Sequence, residues 1–184
     1  MAVNGVANIS GTYGYFLSHL SKNALKPIEL TPLSFINTPK EHRVMQGPVA
    51  STVSQFNADA VYLDPPYTKR QYAGNYHILE TIAREDEPEA IGDGGLRPWK
   101  DDASAFCYRK TAGKALDEVL SNLDAADVFL SYSDDGQMHH EEILEILASY
   151  GEVQLYQRKY TRYRSNGRAR SDYIYEKLYH VHMR

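Results

Sequence analysis

Asp64-Pro65-Pro66-Tyr67 is the stretch of this 184-residue chain whose residue types and spacing could assemble a reaction site. It follows the apolar run Ala60-Val61-Tyr62-Leu63 without a break. Two prolines fix their own φ angles and restrict the residue before each of them, so the loop is stiff. It sets one carboxylate, carbonyls with no competing N–H and one aromatic ring at defined relative positions. An amine acceptor beside a ring is what recognition of an aminated base demands. The Asp64 carboxylate and the Pro65 carbonyl can accept hydrogen bonds from an exocyclic amine, whose lone pair is then better aimed at an electrophile. The Tyr67 ring can stack on the base, and the attack itself needs neither a general base nor a metal. Alone, the tetrapeptide also reads as an ordinary turn after a strand. Its flanks, Thr68-Lys69-Arg70-Gln71-Tyr72 and Asn75-Tyr76-His77-Ile78-Leu79-Glu80-Thr81-Ile82, raise it above that reading.

The elements that would position this loop follow from hydrophobic periodicity. Ala60–Leu63 is continuous and apolar, as a buried parallel strand is, and its C-terminal end is where open α/β sheets place ligands. Tyr13, Phe16, Leu17, Leu20 and Ala24 recur at helical spacing, and Pro27 stops that helix. Ile28–Leu30, Leu33–Ile36 and Val44–Met45 read as short strands or loops. Asn75 is a plausible cap for a helix carrying Ile78, Leu79, Ile82 and Ala83. Ala112, Ala115, Leu116, Val119, Leu120 and Leu123 form the best helical stripe. Val128–Leu130 reads as a second buried strand, ending at the turn Ser133-Asp134-Asp135-Gly136. A helix with Ile143, Leu144, Ile146 and Leu147 follows, and Gly151 can close it. Two strand-like runs, Val153–Tyr160 and Asp172–Val181, end the chain as a hairpin. This order predicts an α/β domain with parallel central strands and an antiparallel pair at one edge.

Composition excludes several classes. A hydrophobic fraction of 42% and a charged fraction of 24% suit a globule. No apolar run approaches the ~18 residues of a membrane span, and the N-terminus lacks a signal-peptide profile. The single cysteine, Cys107, excludes an internal disulfide and a cysteine zinc cluster, so a cytoplasmic location is expected. His139-His140 and the pair His180 and His182 lack metal-ligand spacing, and no metal site is expected. The net charge of −4 averages two opposed segments. Glu85 to Asp102 carries seven acids and two bases and reads as a solvated loop. Arg158 to Arg170 carries six bases, no acid and interleaved tyrosines, a pattern suited to phosphate with rings for stacking, or to a solvated hairpin.

The segment VYLDPPYTKRQYAGNYHILETIA resembles the catalytic segment of the Dam-like, alpha-type DNA adenine methyltransferases. The similarity continues through GLRPWKDD, FCYRK, VFLSYSDDG, EEILEILASYGEVQLYQRKYTRYRS and SDYIYEKLYHV, and reaches back more weakly to YGYFLSHLSKNALKPIEL. The resemblance implies a Rossmann-like S-adenosylmethionine-dependent methyltransferase fold. It implies transfer of a methyl group to the exocyclic amine of an adenine flipped out of double-stranded DNA, as in restriction-modification systems. Asp64 and Pro65 would hold the amine, Pro66 would stiffen the loop and Tyr67 would stack on the base. Asp64 would also lie next to the methionine portion of the donor. Arg70, Tyr72 and Tyr76 would frame the flipped base or a neighbouring phosphate. Lys159, Arg162, Arg164, Arg168 and Arg170 would hold DNA backbone.

Against this family the sequence lacks the Phe-x-Gly-x-Gly turn that grips the donor, and Gly11-Thr-Tyr-Gly14 and Gly92-Asp-Gly-Gly95 do not replace it. The expectation is therefore a partial sheet with a C-terminal antiparallel β-hairpin. Residues 1–58 would be the remnant of a helical recognition region, and residues 59–184 the catalytic half that holds the target base. A separate donor-binding half or a second copy would complete the site. Two rivals are an inactive DNA-binding or partner-binding remnant, and a methyltransferase for another planar amine or amide. Asp rather than Asn at the first motif position, with the matching flanks, favours DNA adenine over the latter.

Overall fold

A computed structural model of the chain describes residues 19, 22–27, 29, 32–93, 95–161 and 172–184. The chain divides into two compact units, Met1–Val44 with Tyr72–Ala103, and Met45–Gln71 with Ser104–Arg184. The second holds the sheet. Its strands are β1 (Asn57–Leu63), β2 (Asp124–Ser133), β3 (Gly151–Thr161) and β4 (Tyr173–Met183). They lie in the order β1-β2-β4-β3. β1 and β2 are parallel, with Leu63 opposite Leu130. β4 runs antiparallel to both β2 and β3. The molecule is thus mixed α/β around a four-stranded sheet, with the expected antiparallel hairpin at one edge.

One sheet face makes the core. Val128, Leu130 and Tyr132 alternate along β2, and Tyr179 and Val181 stand beside them on β4, all almost fully buried. Helices of this unit are α1 (Val49–Val53), α4 (Ala112–Ser121) and α5 (His140–Ala148). Leu116, Val119 and Leu120 of α4 and Ile143 and Leu147 of α5 join the same cluster. Their three- and four-residue spacing is what one buried helical stripe requires. The two helices approach closely, because a Cβ on Gly113 would stand 2.6 Å from a Glu142 carboxylate oxygen.

Two further glycines are fixed by contact. A Cβ on Gly136 would fall 2.1 Å from the Tyr132 ring. One on Gly151 would fall 2.0 Å from the carbonyl oxygen of His182. Gly151 therefore opens β3 against β4 instead of closing the preceding helix, which ends at Ser149 in the right-handed helical region.

The first unit contains α2 (Tyr72–Asn75) and α3 (His77–Arg84). The helix expected to start at Asn75 is interrupted: Asn75 ends α2, and Tyr76, at φ −110°, caps α3. Gly74 lies under Trp99, where a Cβ would be 3.2 Å from the indole. The acidic segment after α3 is more ordered than a solvated loop. Arg97, with its side chain only 14% exposed, forks onto both carboxylate oxygens of Asp86 at 2.6 and 2.5 Å. That hydrogen bonding holds the Asp86 carboxyl below the usual carboxylate range. Leu33–Ile36 and Val44–Met45 are loop, not strand. The expected helix over Tyr13–Ala24 lies mostly outside the described residues, which show a short 3-10 turn at Lys22–Leu25. Among the described residues no helix is long and apolar enough to cross a membrane.

Two substitutions test this packing. Leu130→Ala should destabilise the chain by about 2–5 kcal/mol in urea unfolding, since Leu130 is fully buried between sheet and helices. A loss below about 1 kcal/mol would contradict the described core. Gly136→Ala should cost about 1–3 kcal/mol, because the Tyr132 ring has no space to retreat. Wild-type stability in that variant would show that the ring does not lie over Gly136.

Candidate active site

β1 stops where its sequence can no longer pair. Val61 and Leu63 point to the core face, and Asp64 begins a segment whose two prolines have no N–H to give to a neighbouring strand. Asp64 is exposed, and Pro65, Pro66 and Tyr67 are half-buried. Among the described residues neither the Asp64 carboxylate nor the Pro65 carbonyl has a hydrogen-bond partner. Both acceptors stand at the C-terminal edge of a parallel strand pair, where α/β sheets bind ligands.

The loop is held from behind by the segment after β2. The Tyr67 carbonyl accepts from the Gln137 N–H at 2.8 Å. The Tyr67 ring meets the Tyr132 ring edge-on, centroids 5.8 Å apart at 60°. Such a pair adds about 0.5–1.5 kcal/mol beyond simple burial. Tyr132 is itself fixed, because its hydroxyl accepts from the Met138 N–H at 3.0 Å. Burial pushes that hydroxyl above the usual tyrosine range, so it stays protonated. The Arg109 guanidinium donates to the Gln137 carbonyl and lies 3.7 Å from the Glu142 carboxylate. Adjacent residues 137 and 138 thus hold Tyr67 and Tyr132 together.

Further along, the loop is held a second time. Gln71, nearly buried, accepts from the Ser104 N–H at 2.8 Å and donates to the Ser104 carbonyl at 3.0 Å. The Cys107 thiol donates to the Arg70 carbonyl at 3.4 Å. Burial raises that thiol above its ordinary range, so Cys107 is a packed donor, not a nucleophile. Residues 67–71 are therefore held at both ends, while Asp64 and Pro65 stay accessible.

The other expected residues distribute as follows. The Arg70 side chain is exposed, and its backbone belongs to the held loop. Tyr72 and Tyr76 lie in the first unit, exposed at 56% and 42%, as an edge-on pair with centroids 5.5 Å apart. The Lys159 ammonium sits 3.9 Å from the centre of the Tyr173 ring, and Arg158 lies 5.2 Å from that of Tyr160. Pairing of β3 with β4 continues through Lys159–Tyr175 to Thr161–Tyr173, past the last β2 pair at Ser133–Glu176. The hairpin therefore extends about 10 Å beyond the edge that carries Asp64. Arg162, Arg164, Arg168 and Arg170 lie outside the described residues.

Little that is local in the sequence marks Tyr132, Gln137 and Gln71 as supports, since each acts through a contact distant in the chain. The tyrosine between two serines in Ser131-Tyr132-Ser133 was the available signal, a large ring in a polar turn after a strand. His180 and His182 bond one oxygen of Asp127, at 2.7 and 3.2 Å, and hold its carboxyl low. Among the described residues no group of three or more His, Cys, Asp or Glu could hold a metal ion.

Comparison with known proteins is consistent with this geometry. Residues 1–150 match the family described as D12 class N6 adenine-specific DNA methyltransferase. Type II methyltransferase M.FokI of Planomicrobium okeanokoites is 35% identical over 98% of this chain and 28% of its own length. Modification methylase StsI of Streptococcus sanguinis is 31% identical over 96% of this chain and 27% of its own. Type II methyltransferase M.NlaIII of Neisseria lactamica is 35% identical over 88% of this chain and 48% of its own. The chain thus spans between about a quarter and a half of the length of these relatives. No solved structure matches it. The match over residues 1–150 covers most of the 184-residue chain, including the Asp64–Tyr67 loop and its supports, and the chain belongs to the D12 class of N6 adenine-specific DNA methyltransferases.

Proposed function

We propose that this chain carries the target-base site of a DNA adenine methyltransferase and acts on the exocyclic amine of an adenine flipped out of double-stranded DNA. The observation that carries this reading is the pairing of two accessible acceptors, the Asp64 carboxylate and the Pro65 carbonyl, with a ring, Tyr67, held in place before any substrate arrives. The acceptors take the two amine hydrogens, which localises the lone pair on nitrogen. The Tyr67 ring stacks on the base and fixes its plane. Orientation of this kind can supply most of the acceleration of a bimolecular transfer.

S-adenosylmethionine is the donor that fits. Asp64 is an exposed carboxylate at the strand's C-terminal end, suited to the ammonium of an amino-acid moiety as well as to the base amine. When bound, the donor supplies a methyl group activated by a sulfonium. Asp64 and Pro65 would hold the amine nitrogen toward that methyl group, and Asp64 would offer the surplus amine proton a path to solvent. Arg70 contacts the extruded nucleotide or a neighbouring phosphate, Tyr72 and Tyr76 offer exposed rings for DNA in the first unit, and Lys159 with Arg162, Arg164, Arg168 and Arg170 holds backbone phosphates. The four strands form one side of a Rossmann-like methyltransferase sheet. Such an enzyme works where the DNA is, which in a restriction-modification system is the cytoplasm.

Incubation of the chain with labelled S-adenosylmethionine and unmethylated plasmid DNA, together with an added polypeptide that supplies the donor-binding half, followed by nucleoside analysis, tests the reading. Label should appear in N6-methyladenine. It should fall at least about 100-fold in Asp64→Ala, which removes an acceptor made for the amine. Tyr67→Phe should stay within a few-fold of wild type, and Tyr67→Ala should lose about 5- to 150-fold, the worth of one base stack. Label in cytosine, no label in DNA, or an undiminished Tyr67→Ala would contradict the proposal.

A further inference from the structure

A cavity of about 200 Å³ lies between the ends of β2 and β4 and the start of α5. Tyr132, Ser133, Asp134, His140, Lys177 and Tyr179 are in its wall. The Ser133 hydroxyl is buried, with the residue only 2% exposed, and has no hydrogen-bond partner among the described residues. A buried polar atom without a partner, in a residue of the cavity wall, is a group that a bound ion or water would satisfy.

The groups around it are mainly donors. The Lys177 ammonium, its side chain 12% exposed, bonds Asp134 at 2.5 Å and keeps two further protons to give. The second Asp134 oxygen accepts from the Tyr175 N–H at 3.3 Å, so the acid in the wall is already satisfied. Tyr179 lies 2.8 Å from His140 Nδ1, and burial holds its hydroxyl well above the usual tyrosine range. The first turn of the nine-residue α5 adds backbone N–H groups at the positive end of its dipole. Opposing these, Glu141 lines the cavity but is exposed to solvent.

We propose that this pocket takes a backbone phosphate of the DNA strand next to the flipped adenine. The inference rests on the adenine methyltransferase reading and adds the place where the strand is gripped. The pocket adjoins the base site: Tyr132 lines the pocket, and its ring meets the Tyr67 ring.

Fluorescence anisotropy of the full chain with a labelled mixed-sequence duplex, titrated from 50 to 200 mM salt, tests it. One phosphate contact contributes about 0.9 to the slope of log affinity against log salt. Lys177→Gln should lower the magnitude of the wild-type slope by about that amount. Ser133→Ala should weaken binding several-fold at an unchanged slope and unchanged melting temperature. A wild-type slope in Lys177→Gln would overturn the phosphate pocket and leave the methyltransferase reading standing. Should Lys177→Gln fail to fold, Ser133→Ala decides: weaker binding supports the pocket and wild-type affinity overturns it. A wild-type chain that does not bind duplex at all would overturn the pocket together with the DNA reading.

Discussion

The site depends on one constraint: the loop leaving β1 is tied to the loop leaving the strand beside it. β1 and β2 are parallel and end at the same edge of the sheet, so the two loops emerge side by side. Gln137 then reaches the Tyr67 carbonyl, and Tyr132 reaches the Tyr67 ring. Tyr132 can do so only because its hydroxyl is held by Met138 and because residue 136 has no side chain. The prolines stiffen the loop from within, and these contacts fix it from outside. Rigidity of both kinds leaves the free acceptors, Asp64 and Pro65, at a set distance from a set ring.

The same edge gathers cations in an acidic chain. Of the acids after α3, Asp86 is paired with Arg97 in the first unit, and the others are exposed. Lys159, Tyr160, Tyr173 and Tyr175 occur where the hairpin outruns β2, at the end of the sheet that carries Asp64. Lys159 and Arg158 lie over tyrosine rings, which holds their long side chains extended without neutralising them. Net charge is a poor guide here because the relevant charge is local.

Much of this was legible in the sequence where a local pattern decides the structure. Ala60–Leu63, Val128–Leu130 and the stripe from Ala112 to Leu120 were readable because a buried strand or helix face must be apolar at a fixed period. The paired C-terminal runs were readable for the same reason, and the Asp-Pro-Pro-Tyr loop because proline stiffness is intrinsic to the residue. The misreadings occurred where distant residues decide. Gly151 looked like a helix terminator, yet the carbonyl of His182 is what requires glycine there. Asn75 looked like a helix cap, yet the chain closes one short helix and begins another at Tyr76. Gln71 and Ser104 are 33 residues apart, and nothing local in either announces their paired hydrogen bonds. The supports of the site, unlike its reactive groups, are tertiary.

The site works only if the loop is fixed before substrate arrives, and amide hydrogen exchange in the ligand-free chain measures that directly. The Gln137 N–H, bonded to Tyr67, and the Ser104 N–H, bonded to Gln71, should exchange as slowly as the β2 amides of the core. Exchange of both at the rate of an unfolded chain, with β2 still protected, would show that the loop is loose and that its acceptors and ring are not pre-positioned.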